Sequence, residues 1–444
     1  MDAGAGIGSL SGAFLDRFAA LDSGFRCIQV AAYEIDAGLR KHLVNTLADH
    51  QSELPNLDCS IFSGDFIKEA VRLILEGSER FSHAILNPPY KKINSAGLER
   101  LLLRHVGIET VNMYSAFVAL TVHLMQPGGE IVAIIPRSFC NGPYYRRFRE
   151  LLLAKTAIKR MHLFGARDRA FKDDDVLQEN IIIVLERGGA QGSVIVSTST
   201  DDKFADIETH TYPFDQIVMP GDREHFIHVP TSPEGYQFEI SPAIRSFLVE
   251  TGLEVSTGPV VDFRLKEHLR SMPERGTVPL LYPAHFSGQS IHWPRVGIKK
   301  PNAIVRNDQT EKWLYPNGCY VVVRRFSSKE EKRRVVATVV YPDAFNSPML
   351  GLENHLNVFH RRRKGIPENL ARGLSVFLNS TQVDEQFRRF SGHTQVNATD
   401  LRLLKYPSRE ALTGLGVWAE AQGELTQDKI DRKIESLAWA EYAT

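Results

Sequence analysis

The fold is most clearly indicated by Ser82-His83-Ala84-Ile85-Leu86-Asn87-Pro88-Pro89-Tyr90, a short apolar strand that ends in a turn with two prolines. The two prolines remove two backbone donors and fix their φ angles. The carbonyl of Pro88 and the side-chain oxygen of Asn87 can then be held as acceptors that face one point, and Tyr90 offers a flat face for stacking. This group suits a planar substrate with an amino group, although a proline-rich turn without a ligand has the same residues.

This strand is part of an alternation of short apolar segments and helical segments over residues 1–190. Such an alternation predicts a mainly parallel sheet that is covered by helices. The predicted strands are Cys27–Tyr33, Cys59–Phe62, Ser82–Leu86, Glu130–Ile135, Ile158–Leu163 and Ile181–Leu185. The predicted helices are Leu10–Leu21, Phe66–Leu75, Tyr114–Met125 and Tyr145–Ala154.

The rest of the chain has a different pattern. Residues 191–235 are rich in Thr, Ser, Asp and Pro, which favours one or two strands and a linker. Residues 236–410 lack the alternation and contain many Pro, His and aromatic residues, so we predict a separate α+β domain there. Residues 411–444 are helical by composition.

Three further groups of residues in the first domain indicate ligand binding. Asp2-Ala3-Gly4-Ala5-Gly6-Ile7-Gly8 leads into an apolar helix, and closely spaced glycines let a ligand approach the backbone. Glu34 ends the next strand, where a carboxylate can accept both hydroxyls of a ribose. Asp65 could accept from an adenine amino group, with Phe66 on the ring face. Taken singly, these residues also fit a tight turn, a solvated carboxylate and a helix cap.

The composition argues against several classes of protein. With 43% hydrophobic and 24% charged residues, the chain is near the soluble average. The apolar runs are shorter than the ~20 residues that span a bilayer, and no secretory signal opens the chain. We therefore expect a cytoplasmic protein without membrane contact. We also expect a monomer. The four cysteines are too widely spaced for a zinc knuckle or a disulfide framework: Cys27, Cys59, Cys140 and Cys319.

The charge is unevenly distributed along the 444 residues, although 53 Lys and Arg balance 53 Asp and Glu. Residues 1–235 have 24 basic and 30 acidic side chains, residues 236–410 have 26 and 17, and residues 411–444 have 3 and 6. One basic run is usually a solvated face, but several in one segment favour a polyanionic partner. Four runs lie in the basic segment: Lys299–Lys300, Arg324–Arg325, Lys332–Arg334 and Arg361–Lys364.

The order of these motifs resembles the S-adenosylmethionine-dependent N6-adenine DNA methyltransferases. The long basic segment after them is similar to the gamma class, which includes the Eco57I-like type II restriction-modification methylases. The resemblance extends over most of the chain. It includes Asn112-Met113-Tyr114, Gly128-Gly129-Glu130, Ile135-Pro136-Arg137-Ser138-Phe139, Ala170-Phe171-Lys172 and the block from Ser391 to Leu401.

The resemblance implies a Rossmann-like methyltransferase sheet, with the target-recognition domain in residues 236–410. S-adenosylmethionine would be the cofactor, double-stranded DNA the partner, and no metal would be required. The target amino group would be held by the catalytic motif Asn87, Pro88, Pro89 and Tyr90, with Tyr90 and Phe171 stacking on a flipped base. The cofactor would be bound by Asp2, Gly4, Gly6, Gly8, Glu34, Asp65 and Phe66. A cognate restriction endonuclease is a further expected partner.

The N-terminus departs from the family, in which a β-strand ends at the aspartate before the glycines. Only Met1 precedes Asp2 here. We therefore expect a sheet that lacks its first strand and a native start that lies further upstream. Three alternatives stay open: a DNA-binding protein with an inactive methyltransferase domain, a methyltransferase that acts on RNA, and one that acts on protein glutamine.

Overall fold

We describe residues 1–20, 27–77, 81–164, 179–230, 243–288, 290–327, 331–390 and 395–440 of a computed structural model. The chain divides into two compact units, Met1–Pro233 and Glu234–Thr444. In the ranges given above, no helix combines the length and the apolar character needed to cross a bilayer.

In its described residues, the first unit is built on one nine-stranded sheet. Its strands are β1 (Asp2–Ala3), β2 (Ile28–Tyr33), β3 (Leu57–Phe62), β4 (Phe81–Leu86), β5 (Met125–Pro136), β6 (Thr156–Phe164), β7 (Asn180–Arg187), β8 (Val194–Ser199) and β9 (Glu208–Tyr212). The spatial order is β3-β2-β1-β4-β5-β7-β6-β8-β9. Strands β1 to β5 pair in parallel, whereas β7 is antiparallel to both of its neighbours and β9 is antiparallel to β8. The predicted α/β sheet is confirmed.

The structure has a strand at the centre of the sheet, where we expected the first strand to be missing. Asp2 pairs with both Ala32 of β2 and Ile85 of β4, and Ala3 pairs with Tyr33. Two residues are enough to join the neighbouring strands because each residue of a central strand can bond on both sides. The sheet is therefore continuous through a very short β1.

Helices connect the parallel strands. They are α1 (Ser9–Ala19), α2 (Ala37–Glu53), α3 (Phe66–Glu76), α4 (Leu98–His105), α5 (Met113–Leu124) and α6 (Arg146–Lys155). The sequence predicts α1, α3, α5 and α6 to within two residues at each end. It misses α2, which is largely polar and buries only Leu43 and Leu47, and also the short helix α4. Each of these fully buried leucines stabilises the fold by about 1.5–3 kcal/mol relative to an exposed one.

The second unit contains several small sheets and a helical layer, which fits the predicted α+β class. Its strands are β10 (Ser246–Phe247), β11 (Glu254–Thr257), β12 (Leu269–Arg270), β13 (Thr277–Leu281), β14 (Phe286–Ser287), β15 (Ser290–Ile291), β16 (Ala303–Val305), β17 (Tyr315–Pro316), β18 (Tyr320–Arg324), β19 (Ala337–Val340), β20 (Met349–Leu352), β21 (Leu356–His360) and β22 (Lys405–Tyr406). The two largest sheets have the orders β11-β21-β18-β19 and β12-β16-β13-β20-β17. The helices are Glu368–Leu378, Thr381–Phe390, Ala398–Leu403, Arg409–Glu420 and Gln427–Ala440.

Two helices of the second unit, Glu368–Leu378 and Arg409–Glu420, approach each other closely through glycines. A β-carbon built on Gly373 would lie 1.7 Å from the carbonyl oxygen of Leu412, and one on Gly416 would lie 1.7 Å from that of Asn369. No side chain fits at either position, so this contact depends on glycine.

Candidate active site at the centre of the sheet

The candidate site lies where the order of the parallel strands reverses. The chain runs outward from β1 through β2 to β3 on one side, while β4 and β5 follow on the other. Ligands of open α/β sheets bind outside the carboxyl ends of the strands at such a point. A β-carbon built on Gly4, after β1, would lie 3.9 Å from Pro89 Cδ, after β4. The structure therefore brings two of the predicted motifs together.

The glycine loop after β1 is held open by backbone hydrogen bonds. The amides of Gly4 and Ala5 both donate to the carbonyl of Tyr33 at 2.9 Å. Gly4 has a φ of +80° and Gly6 a φ of +58°, in the left-handed region that favours glycine. A β-carbon on Gly6 would meet no atom within 4 Å. The loop thus leaves open space beside its backbone at Gly6.

Gly8 has a different environment. It is the N-cap of α1, with a φ of +88°. A β-carbon built there would lie 2.9 Å from Leu43 Cδ1 and 3.3 Å from Thr46 Cγ2 of α2. Gly8 therefore permits the packing of α1 on α2, and its predicted contact with the cofactor stays a prediction.

Glu34 supports the glycine loop from the end of β2. Its side chain accepts hydrogen bonds from the amides of Gly6 at 2.8 Å and Asp36 at 2.7 Å, one on each oxygen. The residue is only 8% exposed, so it is not a solvated strand-end carboxylate. Because each carboxylate oxygen has two acceptor positions, both retain capacity for a ligand hydroxyl.

Asp2 is buried at the base of the same loop and is 1% exposed. Ser11 Oγ donates to its Oδ2 at 2.7 Å, while its Oδ1 is buried with no hydrogen-bond partner in the described part of the chain. Burial raises the pKa of this carboxyl group to about 6. An unpaired buried oxygen is uncommon in native proteins and indicates an acceptor that a bound group can use.

Asp65 and Phe66 occupy the start of α3. Asp65 Oδ1 caps this helix by accepting from the amides of Ile67 at 2.8 Å and Lys68 at 3.4 Å. Phe66 is 4% exposed, and its ring centroid lies 5.2 Å from that of Tyr33 and 4.8 Å from that of Phe117. The structure gives Asp65 a capping role and Phe66 a core position. Their contacts with an adenine ring stay predictions.

The Asn-Pro-Pro-Tyr turn follows β4, as predicted, with Asn87 exposed and Pro88 buried. The hydroxyl of Tyr90 lies 3.1 Å from Asn87 Oδ1 and 3.1 Å from the carbonyl oxygen of Ile134, and it can donate to either. The Tyr90 ring meets Tyr114 edge-on, at 6.1 Å between centroids and 86° between planes. Phe171, the second predicted stacking residue, lies outside the described residues.

Comparison with known proteins identifies the family of the chain. The Eco57I restriction-modification methylase family matches residues 28–171. The type II methyltransferase M.BsuBI of Bacillus subtilis is 55% identical over 98% of this chain and 88% of that protein. The type II methyltransferase M.PstI of Providencia stuartii is 43% identical over 98% of this chain and 87% of that protein. This chain belongs to the type II restriction-modification methylases.

The fold of the methylase is also found in a solved structure of a larger protein. The type IIL restriction-modification enzyme MmeI in complex with DNA matches 100% of this chain and 70% of that chain, with a TM-score of 0.57 and 11% identity. At that identity, the likeness is one of fold. Family membership itself makes DNA methylation the reaction class of this methylase.

The methylase contains a buried arginine that sequence reasoning missed. Arg149 Nη1 donates to the carbonyls of Phe139 and Gly142, each at 2.8 Å, and its Nε and Nη2 donate to that of Glu224 at 3.0 and 2.8 Å. The guanidinium lies 4.9 Å from the ring centroid of Phe226, and burial lowers its pKa to about 10. Arg149 thereby fixes the loop that follows β5.

This loop lies beside the Asn-Pro-Pro-Tyr turn of the methylase. Its Ser138 Oγ is 3.1 Å from the hydroxyl of Tyr114, whose ring contacts Tyr90. The sequence offers one weak signal for Arg149, which is its position three residues before the buried Leu152 on the inner face of α6. The adjacent arginines, Arg146 and Arg147, are exposed, so the three look alike in sequence.

Proposed function

We propose that this methylase transfers the methyl group of S-adenosylmethionine to the N6 amino group of an adenine flipped out of double-stranded DNA. One observation carries the proposal: the glycine loop after β1 lies against the Asn-Pro-Pro-Tyr turn after β4, with 3.9 Å between the β-carbon position of Gly4 and Pro89 Cδ. A methyl donor on the loop would therefore be next to an amino group held by the turn.

The residues around the loop fit S-adenosylmethionine. Gly6 leaves the backbone accessible to the methionine part, because a β-carbon there would meet no atom within 4 Å, whereas one on Gly4 would contact Phe117 Cε1 at 3.6 Å. Glu34 is buried and has acceptor capacity for ribose hydroxyls, while Asp2 Oδ1 has no partner in the described residues and is a second acceptor. When bound, the cofactor supplies a methyl group that its sulfonium charge already activates.

In the proposed reaction, Asn87 Oδ1 and the Pro88 carbonyl accept hydrogen bonds from the target amino group. These bonds localise the nitrogen lone pair, which is otherwise delocalised into the ring, and align it for direct attack on the methyl group. No covalent intermediate with the protein is needed, so the contribution of the site is alignment and acceptor placement.

An amino group inside a duplex is out of reach of such a turn, so the target base has to leave the stack. Tyr90 is the described residue that we propose for stacking on the flipped base, with Phe171 on the other face. We further propose that the second unit binds the duplex. Phosphate contacts would give affinity and a few side chains would read base edges.

The base specificity can be tested by expressing the gene in a host without DNA methylation and analysing the digested nucleosides by mass spectrometry. We expect N6-methyladenine. Methylated cytosine in its place would contradict the proposed target atom. Transfer of a labelled methyl group from S-adenosylmethionine only to RNA or protein would contradict the proposed substrate.

Asn87→Ala tests the role of the turn. Loss of the side-chain acceptor should reduce methyl transfer by about 100-fold or more, by analogy with removal of one preorganised hydrogen-bonding group. Cofactor affinity, measured by calorimetry, should be largely retained. Asn45→Ala, on the exposed face of α2, is the matched control. Loss of cofactor binding with wild-type turnover at saturating cofactor would exclude this role.

A further inference from the structure

The run Arg361-Arg362-Arg363-Lys364 forms a tight turn directly after β21. The amide of Arg361 donates to the carbonyl of Lys364 and the amide of Lys364 to that of Arg361, both at 2.9 Å. The two central residues have positive φ angles, +48° for Arg362 and +62° for Arg363. Two-residue turns with this sign of φ favour Asn-Gly, because the left-handed region crowds a β-carbon. Arginine is therefore an unfavourable choice at both positions.

The other basic runs of this unit are largely used in internal contacts. Lys300 Nζ lies 2.8 Å from Asp262 Oδ2. Arg324 Nη2 lies 2.8 Å from Glu331 Oε2. Arg334 is fully buried. All four residues of the turn are exposed, whereas in the other runs only Lys299, Lys300 and Lys332 are.

One residue of the turn anchors it to the unit. The amide of Arg363 donates to His360 Nδ1 at 3.1 Å, and its Nη2 donates to the carbonyl of Lys312 at 2.9 Å. Its guanidinium also lies 4.8 Å from the ring centroid of Tyr315. The contacts of Arg363 explain how the strained backbone is held. The other three residues of the turn, Arg361, Arg362 and Lys364, have no ion-pair partner in the described residues.

We propose that Arg361, Arg362 and Lys364 form a phosphate-binding tip with which the second unit holds the DNA backbone. The inference deepens the proposed function and rests on it. Three cations within four residues, on a turn fixed by Arg363, match closely spaced phosphates. The fold itself gives no reason for arginine at position 362, where glycine would relieve the backbone. Such contacts position the protein on DNA without reading its sequence.

The variant Arg362→Gly tests DNA binding without an expected loss of protein stability. Because glycine accepts a positive φ, the melting temperature should not fall, whereas the affinity for a short fluorescent DNA duplex should decrease by several-fold. The slope of log K against log salt concentration should become shallower by about 0.9 for each phosphate contact that is lost. The triple variant Arg361→Gln, Arg362→Gly and Lys364→Gln should make the slope shallower by nearly three times that amount.

A matched control in the same unit is Arg270→Gln with Arg306→Gln. Arg270 is partly exposed and Arg306 is exposed, and each is paired, with Glu274 at 2.7 Å and Glu311 at 2.7 Å respectively. We expect the control to keep the wild-type slope. A triple variant that also keeps the wild-type slope would overturn the proposed tip, and so would a loss of affinity with no change in slope. Absence of DNA binding and methylation in the wild-type protein would instead contradict the proposed function.

Discussion

Gly6 in the first unit and the glycines Gly373 and Gly416 in the second unit have opposite environments. In the first unit, Gly6 lies in the loop after β1, with a φ of +58° and no atom within 4 Å of its β-carbon position. In the second unit, Gly373 and Gly416 lie inside helices, where a β-carbon would reach 1.7 Å from a carbonyl oxygen of the facing helix. The first glycine leaves room for a ligand, and the other two bring helices into contact. The crowding at Gly373 and Gly416 identifies packing positions, whereas the open space at Gly6 is compatible with a ligand without proving one.

Gly373→Ala should have the largest effect on stability, because the facing carbonyl belongs to a helix that cannot retract locally. We expect the free energy of unfolding to fall by about 3 kcal/mol, as in other overpacked cores. Denaturant titration measures this change. Gly414→Ala is the control, since it lies in the same helix pair with nothing within 4 Å and should stabilise by about 0.5–1 kcal/mol. Equal changes in the free energy of unfolding for the two variants would show that crowding does not set Gly373 apart from Gly414.

Gly8→Ala should have an intermediate effect. Its φ of +88° and the contact with Leu43 place it with the packing glycines, although the sequence predicts a cofactor contact. We expect a loss of stability of about 1–2 kcal/mol from the left-handed backbone. Calorimetry should find cofactor affinity nearly unchanged. A loss of affinity that exceeds the loss of stability would assign Gly8 to the cofactor site.

Gly6→Ala should have the smallest effect on stability, roughly 1 kcal/mol, because only the backbone angle is strained. The added methyl group would occupy the open space beside the loop. We therefore expect cofactor affinity to fall about tenfold, equivalent to about 1.4 kcal/mol. Unchanged affinity would mean that the cofactor does not approach the loop at this position.

The sequence predicts the first unit better than the second for a physical reason. In a parallel sheet, each strand ends at the same edge, so positions after strands were enough to predict that Glu34 and Asn87 lie at one edge, where they follow β2 and β4. The helix contact at Gly373 and Gly416 had no such signal, because its two helices are distant in sequence. Arg149 was also missed, since burial depends on neighbours that local sequence does not specify.

The basic runs illustrate the same limit. Lys332–Arg334 and Arg361–Lys364 have similar composition, yet Arg334 is buried and Arg362 is exposed. Their tertiary contacts decide which charges remain available to a partner. Net charge along the chain predicted the kind of partner but did not identify the residues that would contact it.

The hydroxyl of Tyr90 has one further consequence for substrate entry. It carries a single proton and has two acceptors at the same distance, Asn87 Oδ1 and the carbonyl of Ile134. An incoming donor can take the position on Asn87 while the hydroxyl rotates fully to Ile134. In this exchange the hydroxyl keeps an acceptor at Ile134, and Oδ1 of the exposed Asn87 gains a new donor. The turn can thus be ordered before the substrate arrives without opposing its arrival.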